Sequence, residues 1–322
     1  MSFIVLAHPR RLIGILLICA SGILTGCNTQ QGFMTQKEVS AAELPLQTGI
    51  TATIDVGPTG EFVETAEVLV TSTPRPTPIF WQEMPVIPII SNRARQIYQE
   101  GLDLGNNPNA FSKVGDCESR TTWFLSDFDL GPQYYSLGEY EHLYQVIENY
   151  RGSFNRLSMV AKPGFNAASV MVPLWADKEQ CLKNEHPLAC EYRIHRPSIA
   201  FIMLGTNDVY RIESFEDNLR KVIEYSIDAG VVPILTTKAD NLEGDHYINA
   251  VIAELAYEYD VPLWNFWAAV QSLPNHGLQE DRAHLTWTPN NFSDPKTMLR
   301  AWPVRNLTAL QVLEAFWEAV SR

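Results

Sequence analysis

The chain has 322 residues, with 37 acidic against 24 basic side chains and a formal net charge of −13 at neutral pH. That balance, with no basic stripe along the chain, excludes a nucleic-acid partner held through its phosphates. It also repels anionic polymers overall, which favours a neutral or locally screened ligand. Apolar residues make up 46% of the chain and aromatic ones 11%, ample for the core of one large or two small domains.

At the N-terminus Arg10 and Arg11 precede an apolar run over residues 12–24, too short for a comfortable membrane span. The run ends in Leu24-Thr25-Gly26-Cys27, which looks like a bacterial lipobox. Residues 1–26 therefore read as a lipoprotein signal peptide, with Cys27 lipidated and holding the protein on the extracytoplasmic face of the cell membrane. An ordinary secretory signal and an uncleaved anchor are the other readings, and all three export the rest of the chain. Residues 27–78 read as an extracytoplasmic tether. They are rich in Thr, Gln, Glu, Gly and Pro, lack a sustained helical period, and close with Thr71-Ser72-Thr73-Pro74-Arg75-Pro76-Thr77-Pro78, a composition that stays extended and solvated. The alternation over residues 64–70 allows one strand within it.

From residue 79 to 322 the pattern becomes β/α. Residues 92–104 have helical spacing, with Ala94, Ile97, Tyr98 and Leu102 on one face. Residues 110–115 form a short strand, 137–150 a helix, and 166–175 a helix behind Gly164. Residues 198–204 are a continuous apolar run, expected of a strand buried on both faces. A helix over 215–229 stops at Gly230. Residues 231–236 and 261–266 read as strands, Pro233 weakening the central register of the first. Residues 246–259 and 307–320 complete the helices. Strands alternating with helices predict an α/β fold, a three-layer α/β/α sandwich with a mainly parallel, flavodoxin-like sheet and its ligands at the carboxyl ends of the strands.

Four short motifs punctuate this pattern: Gly115-Asp116-Cys117, Gly164, Gly205-Thr206-Asn207-Asp208 and Asp281-Arg282-Ala283-His284. Their order, each at a strand end or loop, resembles the SGNH (GDSL-type) hydrolase family over roughly residues 110–284. In that family the first motif carries a serine nucleophile, and here Cys117 stands in its place. By position, the resemblance implies that Cys117 attacks a carbonyl, His284 takes its proton and Asp281 holds the imidazole. The N–H of Gly164, the amide of Asn207 and the N–H of Cys117 would form the oxyanion hole. Each residue also has a plainer reading. Asn207 or Asp208 could cap a helix, His284 could be a surface histidine, Asp281 a turn residue, and Gly164 a turn after Pro163.

A thiol beside histidine can ionise and is intrinsically more nucleophilic than a hydroxyl. In a tetrahedral intermediate from an oxygen ester, however, thiolate leaves more readily than alkoxide, so thioesters and activated acyl groups are the easier substrates. Ser119 is a fallback nucleophile, two residues too far along to point the same way. With Cys19 in the signal and Cys27 at the lipidation site, Cys117, Cys181 and Cys190 remain. Export favours a Cys181–Cys190 disulfide. A zinc set of Cys181, His186, Cys190 and His195 is the rival, and Cys117 paired with either cysteine is a third arrangement.

The resemblance implies an extracytoplasmic acyl-ester hydrolase, esterase or deacetylase-like, needing no metal or cofactor and acting on an acylated glycan, lipid or small-molecule ester. The alternative is a catalytically inactive SGNH-like surface binding protein that recognises a glycan or lipid. A purely structural module is the third reading, though nothing in folding demands Asp281, His284 and Asn207 together. Trp123, Tyr134, Tyr135, Trp175, Tyr210 and Trp287, near the motifs, could stack on sugar rings, or serve only as core and rim residues.

Overall fold

The computed structural model describes residues 78–120 and 122–321. The signal peptide, Cys27, the tether up to residue 77 and the strand expected over 64–70 lie outside the described residues. In chain order the strands are β1 (Asn107–Gly115), β2 (Tyr135–Ser136), β3 (Pro197–Met203), β4 (Val232–Thr236), β5 (Leu263–Trp264) and β6 (Asn290–Asn291). The α-helices are α1 (Asn92–Asp103), α2 (Cys117–Arg120), α3 (Asp127–Leu130), α4 (Tyr144–Asn149), α5 (Pro187–His195), α6 (Phe215–Asp228), α7 (Tyr247–Glu258), α8 (Phe266–Val270) and α9 (Ala301–Ser321).

The main sheet is parallel throughout, in the order β1-β3-β4-β5. On the free edge of β1, Gly115 forms one further parallel bridge to Ala161, with Gly115 N–H donating to Val160 and Lys162 N–H donating to Gly115. A second strand is thus reduced to a single bridge, and the flavodoxin-like order survives in outline. Helices α5, α6 and α7 follow one another in the three crossovers and line one face, α5 against β1, α6 and α7 against β4. Helices α1 and α9 pack on each other, and α1 rests on β3 and β4 as the second face. Crossover connections of this kind are what parallel strands require. The fold is the α/β sandwich that the alternation predicts, and β2 with β6 forms a separate parallel pair.

Local chemistry explains most boundaries. Ser91 caps α1, its hydroxyl accepting from Ala94 N–H at 3.1 Å, and Ala94 and Ile97 are fully buried on its inner face. Every residue of β3 is buried, as the apolar run predicts. Rings of Phe111, Phe201 and Trp264 meet edge-on in the core, with centroids 5.8 and 5.4 Å apart; each such pair adds about 0.5–1.5 kcal/mol beyond its burial. Pro233 sits in the half of β4 that pairs with β3 alone, since β5 joins only at Leu235 and Thr236. A missing donor is tolerated there.

Four expectations change. The helix over 137–150 becomes a 3-10 segment, Gly138–Leu143, kinked at Tyr140 and followed by α4. The helix over 166–175 is two isolated turns, Ser169–Met171 and Pro173–Trp175. There, Asn166 and Ser169 exchange side-chain-to-backbone bonds at 2.8 and 2.9 Å, which compete with a helix, and Pro173 offers no donor. The strand over 261–266 shortens to β5 because Asn265 turns the chain and caps α8. The last helix begins six residues early, with Ala301 N–H donating to the Thr286 hydroxyl at 3.0 Å and Pro303 lying in the first turn, where proline is accepted. Among the described residues no helix is long and apolar enough to cross a membrane.

Candidate active site

The sheet delivers three loops to one end. Gly115 closes β1, Asp116 Oδ1 accepts Glu118 N–H at 3.0 Å, and α2 starts at Cys117. Only glycine fits at position 115, because an added Cβ would lie 2.2 Å from Ser119 Oγ and 2.5 Å from the Met203 carbonyl. Ser119 itself is fully buried under that turn. It faces inward, so the fallback nucleophile is out of reach of solvent and of substrate.

Cys117 Sγ lies 3.8 Å from His284 Nε2, and His284 Nδ1 lies 2.6 Å from Asp281 Oδ2. Asp281 also accepts the backbone N–H groups of Ala283 and His284 through Oδ1, both at 3.0 Å, so one carboxylate shapes the turn and orients the ring. These three donors hold its carboxyl down to about 2, the two backbone bonds and the imidazole acting in that order. Asp281 in turn raises the imidazole, and Glu118 and Asp116 add to the rise. The thiol moves the other way from what proximity to histidine suggests. Burial first, then the flanking charges of Asp116 and Glu118, pushes Cys117 up to about 11. Burial, with the two flanking acids, thus works against the thiolate that a neighbouring histidine favours.

The histidine loop is fixed from below. Glu118 accepts Leu285 N–H at 3.4 Å through Oε1 and meets Arg305 Nη1 at 3.4 Å through Oε2. Arg305, on α9, is buried between the rings of Phe124, Trp302 and Phe266, its guanidinium 4.6, 5.2 and 5.5 Å from their centroids. Neither Glu118 nor Arg305 is visible as functional in the sequence. The available signal is a lone cation in the apolar segment Ala301-Trp302-Pro303-Val304-Arg305, since a buried charge needs a partner. A cavity of about 40 Å³ beside this pair is lined also by Lys238 and Asp240.

The donor side is assembled across the chain. Asn207 Nδ2 donates to the Phe165 carbonyl at 3.0 Å. Asp208, nearly fully buried, accepts Ala167 N–H at 3.0 and 3.3 Å, so it holds the Gly164 loop and does not cap a helix. Burial pushes its carboxyl up to about 6. Thr206 Oγ1 donates to Asp240 at 2.7 Å, tying the same motif to the loop after β4. Gly164 has φ +82° with open space around the position of a Cβ; its conformation, rather than crowding, asks for glycine. The structure thus joins Cys117, His284 and Asp281 in one chain of contacts and Gly164 with Asn207 in another. Gly115 pairs with Ala161 on one side and Met203 on the other, so the segments leading to Gly164 and Asn207 leave the sheet at the end where Cys117 begins α2.

Cys181 and Cys190 are joined, with Cα atoms 5.2 Å apart, and Cys117 is the free cysteine among the described residues. The disulfide removes both thiolates from the zinc alternative. His186 instead caps α5, its Nδ1 accepting Ala189 N–H at 3.1 Å, and His195 lies 3.8 Å from buried Glu191.

No family model and no curated protein matches the chain. Solved structures similar to it include a psychrotrophic esterase from Pseudoalteromonas sp., at 14% identity and TM-score 0.41, covering 65% of this chain and 99% of that one. An acetylxylan esterase from Geobacillus stearothermophilus is 14% identical with TM-score 0.39, covering 63% and 93%. A lipolytic protein of the G-D-S-L family from Desulfitobacterium hafniense is 12% identical with TM-score 0.37, covering 63% and 99%.

Proposed function

We propose that this chain is an extracytoplasmic acyl-ester hydrolase of the SGNH type, with Cys117 as nucleophile, His284 as general base and Asp281 orienting the ring. Gly164, Asn207 and the Cys117 N–H serve as oxyanion donors. The contact chain Cys117 Sγ–His284 Nε2 at 3.8 Å and His284 Nδ1–Asp281 Oδ2 at 2.6 Å carries the reading. A thiol within reach of an imidazole that a carboxylate orients is the arrangement such a mechanism needs.

The protonation states set the order of events. The neutral thiol gives its proton to His284 Nε2 as sulfur bonds to the acyl carbon, and the carbonyl electron pair moves onto oxygen. Collapse breaks the bond to the leaving alcohol, whose oxygen takes the proton from His284. Water then attacks the thioester, giving its own proton to His284. The C–S bond breaks, the carboxylic acid leaves, and sulfur recovers its proton. His284 must protonate the departing alkoxide promptly, because sulfur is otherwise the better leaving group. An acyl group on a glycan, lipid or small alcohol meets these requirements, and a thioester meets them more easily. Export and a lipid anchor at Cys27 belong to the same proposal; their support is the Leu24-Thr25-Gly26-Cys27 sequence after an apolar run, and the tether over residues 27–78 gives the domain its reach.

The second reading, a binding protein without turnover, is favoured by cysteine standing at position 117 where the resembled family carries serine, half-buried between Asp116 and Glu118. Purified full-length protein assayed on acetyl esters and thioesters separates the two. Turnover that disappears in Cys117→Ala and is kept or raised on oxygen esters in Cys117→Ser supports the hydrolase. A chain inert in both wild-type and Cys117→Ser forms, yet still binding an acylated glycan, makes it a receptor. Mass spectrometry of the N-terminus decides the anchor, which requires a lipid-modified Cys27.

A further inference from the structure

We infer that the groove beside Gly164 is a binding site for an anionic sugar, the carrier of the ester group; this rests on the hydrolase reading for its role and stands on its own as a binding site. The groove has a volume of about 810 Å³ and runs from Arg120, at the end of the Cys117 helix, past Gly164 to Arg211. Its floor and wall are apolar, formed by buried Phe165 and by Trp175, which is 54% exposed. An exposed indole face in the groove that Gly164 also lines suits the C–H face of a pyranose ring, being apolar on one side and wet on the other.

The charge of the groove runs against that of the chain. The molecule carries 37 acids and 24 bases, yet Arg120, Lys162 and Arg211 all line this groove and no acid does. Among the described residues, none of the three is paired with a carboxylate. Lys162 is steered over the groove, its Nζ donating to the Trp175 carbonyl at 3.3 Å and standing 5.6 Å from the Phe165 ring. Three unpaired cations in one concave surface focus a positive field that the acidic remainder of the molecule does not cancel at close range. Two of them are arginines, whose planar forks match carboxylate or phosphate oxygens. A neutral glycan leaves those forks without partners, and a free anion leaves the indole unused. An acylated sugar bearing a carboxylate or phosphate uses both, and its ester reaches Gly164 from the same groove. The global repulsion of anions inferred from composition is thereby reversed at one place.

Calorimetric binding to full-length Cys117→Ala protein tests this without requiring turnover. The probes are oligogalacturonate, N-acetylglucosamine 1-phosphate, a neutral galacto-oligosaccharide and inorganic phosphate. Either charged sugar should bind at least about tenfold more tightly than the neutral oligosaccharide, with affinity falling as salt rises. Which of the two binds more tightly identifies the anion as carboxylate or phosphate. Arg120→Gln and Arg211→Gln should each weaken the charged sugars several-fold, and Trp175→Ala should weaken charged and neutral sugars alike. Equal affinity for the neutral sugar, indifference to both arginine changes, or inorganic phosphate binding as tightly as the sugar phosphate would each overturn the inference. If charged sugars bind but wild-type protein turns over no ester, the groove stands and the hydrolase falls; ester turnover without sugar binding gives the reverse.

Discussion

The two halves of the site are built in opposite ways. The base half is local and exposed: Asp281 and His284 are three residues apart, each about half exposed, and their mutual bonds are made within one turn. The donor half is long-range and rests on a buried acid: half-buried Asn207 and buried Asp208 reach back about forty residues to Phe165 and Ala167. A turn that organises itself can be altered with little effect on the fold, because its loss removes contacts that water can replace. A buried carboxylate that organises another loop has no such substitute. Changes in the base half should therefore separate activity from stability, and changes in the donor half should move both.

His284→Ala is the sharpest test and carries the largest expected effect. On the proposed mechanism it removes general-base help worth about 10²–10⁴ in rate, leaving the thiol, raised to about 11, without an acceptor. Ester turnover should fall by roughly three orders of magnitude, with the thermal midpoint unchanged. A parallel loss of stability would show that the loop is structural and blur the contrast between the halves.

Asp208→Ala should act on both properties. It leaves the buried Ala167 N–H without its acceptor, at a cost of about 1–3 kcal/mol, and releases the Gly164 loop. Denaturant unfolding should show that loss, and kcat should drop with it. Asp208→Asn keeps an acceptor for Ala167, so it should recover much of the stability. If Asp208→Ala loses activity alone, the donor half is no more structural than the base half.

The same contrast explains what could be read from the sequence. Strand β3 was legible because burial on both faces leaves an unbroken apolar run, and α1 and α6 because one apolar face repeats every three or four residues. The Asp281–His284 turn was legible because its partners are neighbours in the chain. Glu118 and Arg305 were not, since their pairing spans 187 residues and their identities fit an exposed helix end equally well. The helix expected over 166–175 failed for a related reason. Its backbone donors go to Asn166, Ser169 and Asp208 side chains, and periodicity carries no record of that competition. The upward push on the Cys117 thiol was hidden too, although both acids that add to it adjoin it, because its largest cause is burial, which the sequence does not record.

Glu118→Gln should give the smallest change and the most specific one, since it alters charge at the seam between the two halves while keeping a side chain of the same shape. Glu118 raises both the Cys117 thiol and the His284 imidazole through its negative charge, so removing that charge should lower both. For a general base, activity appears as the imidazole loses its proton, so turnover should rise with pH through the raised His284 value. In Glu118→Gln that rise should move to lower pH. Alkylation of Cys117 should be slow at neutral pH, climb as pH approaches about 11, and begin its climb earlier in the variant. A merely structural Glu118 would change amplitudes and stability but leave both midpoints in place, because a lost contact to Leu285 or Arg305 does not alter the charge felt by the thiol. Movement of the two profiles in the same direction is the signature of the electrostatic role; movement of only one, or opposite shifts, would mean that the acid flank does not set the protonation of the pair.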